Sequence, residues 1–259
     1  VAIGSGSTYA QAAARALLSA SGDDDASMEE VFARMPRDNF LRSRPDQIAW
    51  QVRVMRAAPR DRPVVGVRYP TGRDGLEIFV HMRDRDGLFA ALVIALDRMG
   101  LGVQQARVLD GPDDTIFDTF HVQPMDTRIA PVSTQVETQL AKALSGDLSC
   151  LQPARRSQPR HLRHFRIAPQ VGFADAGATG DAGRTLLSLV CNDRPGLLAD
   201  VTRVLREQRL RVHDARIATF GERAEDLFLV SDEHDHPLQP AQRDALRDAL
   251  LAALDGDPR

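Results

Sequence analysis

Lysine is almost missing from this chain: of its 33 basic residues only Lys142 is lysine. Alongside so much alanine, that bias reflects a GC-rich coding sequence rather than a binding chemistry. Cysteine is as scarce. Cys150 and Cys191 are too few and too far apart for a disulfide framework or a zinc site, so a reducing, cytoplasmic home is expected. No apolar run reaches the ~18 residues needed to span a bilayer. The N-terminus lacks the charged stretch and apolar core of a signal peptide, and it begins with valine, as a piece of a longer protein would. Nor does one sign of charge dominate. A net charge of −3 and a pI near 6.2 give no global pull toward nucleic acid or an anionic membrane. What remains is ordinary globular composition, 43% hydrophobic and 27% charged, over 259 residues, which suits two or three small units.

An internal repeat organises most of the chain. The stretches RDRDGLFAALVIAL (83–96) and NDRPGLLADVTRVL (192–205) share one design at an offset of 109 residues (193 less 84). Asp84, Gly87 and Leu88 match Asp193, Gly196 and Leu197. Leu92 and Leu96 match Val201 and Leu205, a spacing of four that lays an apolar stripe along a helix. Val103, Ala106 and Arg107 then meet Val212, Ala215 and Arg216. After one gap, Asp118 and Phe120 meet Asp226 and Phe228.

Each copy reads as strand, loop, helix, strand, turn, strand, helix. In copy one these are 76–82, a helix over 87–99, a hairpin of 103–110 and 115–122 around GPDD, and a helix over 132–144 capped by Ser133 or Thr134. Copy two gives 185–191, 195–207, 211–220, 225–230 and 241–253. A short apolar piece precedes each copy, 64–69 and 170–173, and supplies a fourth strand. The outcome is a four-stranded sheet with two helices on one face, twice.

The turn between first strand and first helix has two readings. Pro195 presets φ at the first helical turn and Asp193 can cap its amides, a purely structural role. Equally, Gly196 lets a ligand approach the backbone, the helix N-terminus favours a carboxylate, and Asn192 or Asp193 could hold an amino group.

This order of elements, with D-x-P-G-L between strand and helix, resembles the ACT domain, a small-molecule-sensing module. The runs DNFLRSRPDQIAW, RHFRIAPQVGF and GERAEDLFLVSD extend the likeness over about residues 28 to 259. They resemble the C-terminal region of the bifunctional uridylyltransferase/uridylyl-removing enzyme of the PII nitrogen-signalling protein. The resemblance implies an α+β fold of two ferredoxin-like ACT domains after a short helical N-terminal segment. Residues 1–22 form an atypical start, 23–60 a helical remnant following an HD hydrolase domain, 61–160 the first ACT domain and 161–259 the second. It implies that the pair senses glutamine or a similar amino acid, with PII as partner of the full-length enzyme and ACT domains that self-associate. It also moves the turn toward ligand binding: Asn192, Asp193, Arg194, Pro195, Gly196 and Leu197 in copy two, and Asp84, Asp86, Gly87 and Leu88 in copy one. Copy one departs from the pattern, since Asp86 replaces proline and adds negative charge, so copy two is favoured.

Catalytic parts of that family are not found. Gly4-Ser5 with Asp23 and Asp25 imitates a nucleotidyltransferase spacing, but SGDDDAS is a polar loop without strand character. The dipeptides His213-Asp214 and His234-Asp235 lack the surrounding ligands of an HD hydrolase. No cofactor is therefore expected here, magnesium belonging to catalytic domains this sequence does not show. Asp232, His234 and His236 could meet a divalent ion, but such clusters are more often solvated loops. ARRSQPRHLRHFR (154–166) reads as an inter-domain linker rather than a nucleic-acid site, for it has no aromatic platform for base stacking. Trp50 belongs to a Pro-initiated helix over 45–57 and is expected to pack in its interface.

VAIGSGSTYAQAAARALL resembles a segment of the bacterial proteasome-like peptidase subunit, and residues 1–20 are read as foreign to the rest. Val1 cannot serve as that peptidase's threonine nucleophile. The rival readings of the whole chain are an active uridylyltransferase and a purely structural oligomerisation module.

Overall fold

The computed structural model describes residues 5–19, 25–58, 62–85, 87–126, 128, 131–148, 167–179, 183–194, 196–220 and 222–255. Four helices come first: α1 (Ser5–Ser19), α2 (Asp25–Ala33), α3 (Arg37–Arg42) and α4 (Pro45–Ala57). Copy one follows as β1 (Val64–Arg68), β2 (Leu76–Arg83), α5 (Leu88–Arg98), β3 (Leu101–Arg107), β4 (Asp110–Gly111), β5 (Thr115–Pro124) and α6 (Ser133–Ser145). Copy two repeats it as β6 (Gln170–Asp175), β7 (Thr185–Asn192), α7 (Leu197–Glu207), β8 (Arg211–Phe220), β9 (Arg223–Ser231) and α8 (Pro240–Asp255). The expected cap of α6 needs correcting: its N-cap is Val132, with no side-chain bond, and Ser133 already lies inside the helix.

Each copy contributes four antiparallel strands, but the two sets are not separate sheets. They form one, in the order β1-β2-β5-β3-β8-β9-β7-β6, with the short β4 on β5. The join pairs Gln105, Ala106 and Arg107 of β3 with Arg216, Ala215 and Asp214 of β8, extended by the Val108 amide donating to the His213 carbonyl at 3.1 Å. Without it, β3 and β8 would each present a row of unpaired amides and carbonyls. The leading strands β1 and β6 sit at the outer edges, so each copy runs strand, strand, helix, strand, strand, helix.

Burial along the first inner strand separates the copies. β2 is buried at six successive positions, whereas β7 alternates buried and half-buried. One face of β2, with Ile78 and Val80, joins Phe120 and Val122 of β5 under Leu92, Leu96, Val136 and Leu140 of α5 and α6. On the other face, Phe79 and Phe117 pack with Val64 against Ile48, Val52 and Met55 of the helical layer. A strand covered on both faces loses the period-two pattern. Copy two carries helices on one face, and Leu227 on the other is 40% exposed.

The helical layer is keyed to the sheet by polar contacts as well. Gln51 receives the Asn39 side-chain amide at 2.9 Å and donates to Thr119 Oγ1 at 3.1 Å. Gln47 donates to Glu77, which also takes the Arg68 guanidinium at 2.6 Å. Gln51→Ala strands two buried groups at once, and is expected to lower the unfolding free energy by about 1–3 kcal/mol in urea titrations. Trp50 lies edge-on to Phe79 at 6.2 Å with Arg68 over its ring, in the interface as expected. Close approach of α4 depends on Gly66, where a Cβ would meet Val54 Cγ2 at 2.7 Å.

The N-terminal helix is not an appendage. Ala14 and Leu18 are fully buried, and α1 packs on α3 and α4 within the same cluster as Ile48 and Val52. The alanine-rich face of α1 suits this close helix–helix contact.

Candidate functional site

Both strand–helix turns are built alike. Gly87 (φ 75°) and Gly196 (φ 78°) occupy the left-handed region as N-caps of α5 and α7, a conformation that costs other residues about 1 kcal/mol or more. The cap of α7 is thus Gly196 rather than Asp193. Before each glycine an arginine reaches the C-terminal end of its copy's last helix. Arg85 bonds the carbonyls of Leu144 and Gly146, and Arg194 bonds that of Ala253. Cations suit those carbonyl-rich ends. Asp86 and Pro195, whose difference favoured copy two, lie outside the described residues, as do Gly4, Asp23, Cys150 and the 154–166 segment.

Around them the turns differ. In copy two, Asn192 Oδ1 accepts the Ile167 amide at 2.6 Å, and Arg194 pairs with Asp200 at 2.6 Å. Those groups are engaged inside the copy, as Asp84 and Arg85 are in copy one, where Asp84 Oδ1 accepts the Arg85 amide at 2.8 Å. In copy one, Asp84, Arg85, Gly87 and Leu88 line a cavity of about 780 Å³ whose far wall is the end of α7 and the start of β8. Leu88, Phe89 and Ala90 of the first turn of α5 border this space, the Leu88 amide donating to the Arg85 carbonyl at 3.0 Å. Arg206 of α7 lies so close that a Cβ on Gly87 would meet its Nε at 2.7 Å.

One wall of the cavity is acidic. Asp84 and Asp110 line it with Asp118, which is 1% exposed. Burial pushes the Asp118 carboxyl well above the usual range, with repulsion from Asp84 and Asp110 adding to it. Burial likewise raises Asp84. Arg211 of β8 binds Asp110 at 2.9 Å and Asp235 at 3.2 Å, a clamp between the copies. Asp110, His213 and Asp235 bring their ligand atoms within 4.8 Å of one another, and the Arg211 guanidinium supplies the positive charge there. His213 also meets Ser231 Oγ at 2.8 Å.

Asp226, the copy-two counterpart of Asp118, is 2% exposed, and neither of its oxygens has a hydrogen-bond partner among the described residues. Burial first, eased by the nearby Ala218 amide and worsened by Asp193, raises its pKa to about 7. Burial also lifts the Cys191 thiol to about 12, leaving it inert as a nucleophile. The repeat alignment brought Asp118 and Asp226 together, but alignment alone assigned them no role.

The remaining sequence candidates sit elsewhere. Asp232 Oδ1 accepts the amides of both His234 and His236 at 2.9 Å, folding that stretch into a turn with both rings exposed. Among the described residues no helix is long and apolar enough to cross a membrane.

Comparison with known proteins places the chain by sequence. Residues 8–54 match the family described as the fifth domain of uridylyltransferase GlnD, and residues 185–249 match the ACT domain. The first match covers most of α1, so the peptidase resemblance of residues 1–20 finds no support. A bifunctional uridylyltransferase/uridylyl-removing enzyme of Xanthomonas oryzae pv. oryzae is 53% identical over 247 residues, 95% of this chain and 28% of that protein. One from Xanthomonas campestris pv. campestris is 52% identical over the same share. The enzyme of Photobacterium profundum is 32% identical over 92% of this chain and 27% of its own length. The chain thus spans little more than a quarter of these relatives, and most of their length has no counterpart in the sequence given.

Proposed function

We propose that this chain, which corresponds to the regulatory, ACT-bearing C-terminal part of the bifunctional uridylyltransferase/uridylyl-removing enzymes, senses glutamine or a similar amino acid in the cavity between its two copies. Copy one acts as a second ACT unit, on the strength of the shared turn, strand order and buried aspartate. The observation that carries the reading is the Gly87 turn: it sets the N-terminal turn of α5 against a 780 Å³ space bounded on its far side by the other copy. A carboxylate is the ligand group a helix N-terminus favours. Sequence pattern favoured the copy-two turn; the cavity lined by Asp84, Arg85, Gly87 and Leu88 moves the proposal to copy one. In a longer enzyme the signal would govern the addition of UMP to PII and its removal, and the ACT units would be where subunits associate.

A route outward exists. Val108, Asp110 and His213 border the ligand cavity and also a smaller one, about 390 Å³, against the loop between α2 and α3. Occupancy would therefore press on a wall shared with the helical layer.

Titration calorimetry with L-glutamine tests the site. Gly87→Val adds a branched side chain at a left-handed position and against Arg206. It is expected to weaken binding at least about tenfold, equivalent to about 1.4 kcal/mol, while Gly196→Val leaves affinity within about twofold. Loss of binding in Gly196→Val alone would return the site to copy two.

A further inference from the structure

Asp118 has one carboxylate oxygen occupied, since Oδ1 accepts the Leu109 amide at 3.3 Å. Oδ2 takes no hydrogen bond from any described residue, although the side chain is 1% exposed and lines the cavity. Unlike the two oxygens of Asp226, Oδ2 is not sealed off, so it can be met from the cavity that Asp118 lines. The same residue type recurs at Asp226, so the position is set by the repeat and not by chance.

Charge around Asp118 is divided across the cavity. On its own side stand Asp84 from the turn before α5, Asp110 from β4 and Asp114 from the β4–β5 turn, offset chiefly by Arg211 of β8. Opposite them the end of α7 supplies Arg203, Arg206 and Glu207, with Arg209 beyond it, and His213 and Glu233 complete the rim. An acidic wall facing an arginine-rich wall is the complement of a zwitterion.

We propose that Asp118 Oδ2 accepts a hydrogen bond from the ammonium group of the bound amino acid, while the α5 amides and Arg206 take its carboxylate, so that Asp118 selects amine-bearing ligands over their deaminated analogues. The inference rests on the reading that this cavity holds an amino acid. Burial raises the Asp118 carboxyl above the usual range, and docking an ammonium ion beside it favours the charged form. Affinity then rises with pH until Asp118 is ionised in the free protein, by at most about tenfold per pH unit.

Calorimetry of the full chain with L-glutamine and with glutaramate, which lacks the amino group, separates the cases. Wild type is expected to prefer glutamine at least about tenfold, and its binding enthalpy to vary with buffer ionisation enthalpy at pH values where the free carboxyl is still protonated. Asp118→Asn is expected to keep the fold by circular dichroism, to lose that preference and to bind with no buffer dependence. Heat from both ligands with equal affinity in wild type overturns the role of Asp118 while leaving the cavity reading intact. So does a preference that survives in Asp118→Asn. No heat from glutamine overturns the cavity reading and the Asp118 proposal with it.

Discussion

At about pH 8, Asp226→Asn is expected to be more stable than the wild-type chain by about 2–4 kcal/mol, and at about pH 4 to differ little from it. The folded carboxyl titrates near 7, against 3.8 for an ordinary aspartate, and about three units correspond to about 4 kcal/mol. Below the ordinary value both folded and unfolded chains are protonated, so the mutation exchanges one neutral group for another. As pH rises from there toward 7, the unfolded chain gives up its proton first and the folded state loses stability relative to it. Above 7 the loss is complete and constant. Asparagine does not titrate and escapes this loss, although its own buried amide keeps the gain below the full amount. Urea titrations of both proteins at the two pH values decide the matter. An equal difference at both would mean that Asp226 does not carry a buried charge.

The position that makes this prediction was partly visible beforehand. Asp118 and Asp226 fall together once the repeat is aligned, and both sit in strands whose period-two pattern points them at the helices. What alignment lacks is the local dielectric, because burial at Asp226 depends on α7 closing over the strand. The strand and helix spans were legible for the same physical reason in both copies: a period of two between turn residues, then a period near 3.6 after the glycine. Joining of the sheets was not legible. Nothing in the spans 103–110 and 211–220 marks them as partners, and only the small Ala106 facing Ala215 suits a close join. In the sequence the choice between the turns weighs proline against Asp86, whereas the proposal for copy one draws on packing that is not local in sequence, such as Arg206 against Gly87. Residues 1–20 misled for a simpler reason: an alanine-rich helix is a packing solution that unrelated proteins share.

Phe120→Ala and Phe228→Ala are each expected to lower the unfolding free energy by about 3–5 kcal/mol, within one transition rather than two. Both rings are fully buried on the central strand of their copy, and they belong to one continuous core that runs through α5 and α7. Phe120 also stacks on Phe89 at 6.1 Å, and Phe89 lines the cavity between the copies. Were the copies independent, Phe228→Ala would melt copy two and leave copy one with its own midpoint. The shared sheet opposes that, since unfolding copy two would strip β3 of its ladder and uncover the side of α5 that packs on α7. Differential scanning calorimetry is expected to show a single peak for wild type and both variants, with van't Hoff and calorimetric enthalpies in agreement. A resolved second peak in Phe228→Ala alone would show that the β3–β8 join does not couple the copies. A cavity between two independently melting copies could not pass a ligand signal from one to the other, so the same experiment bears on sensing as well as on stability.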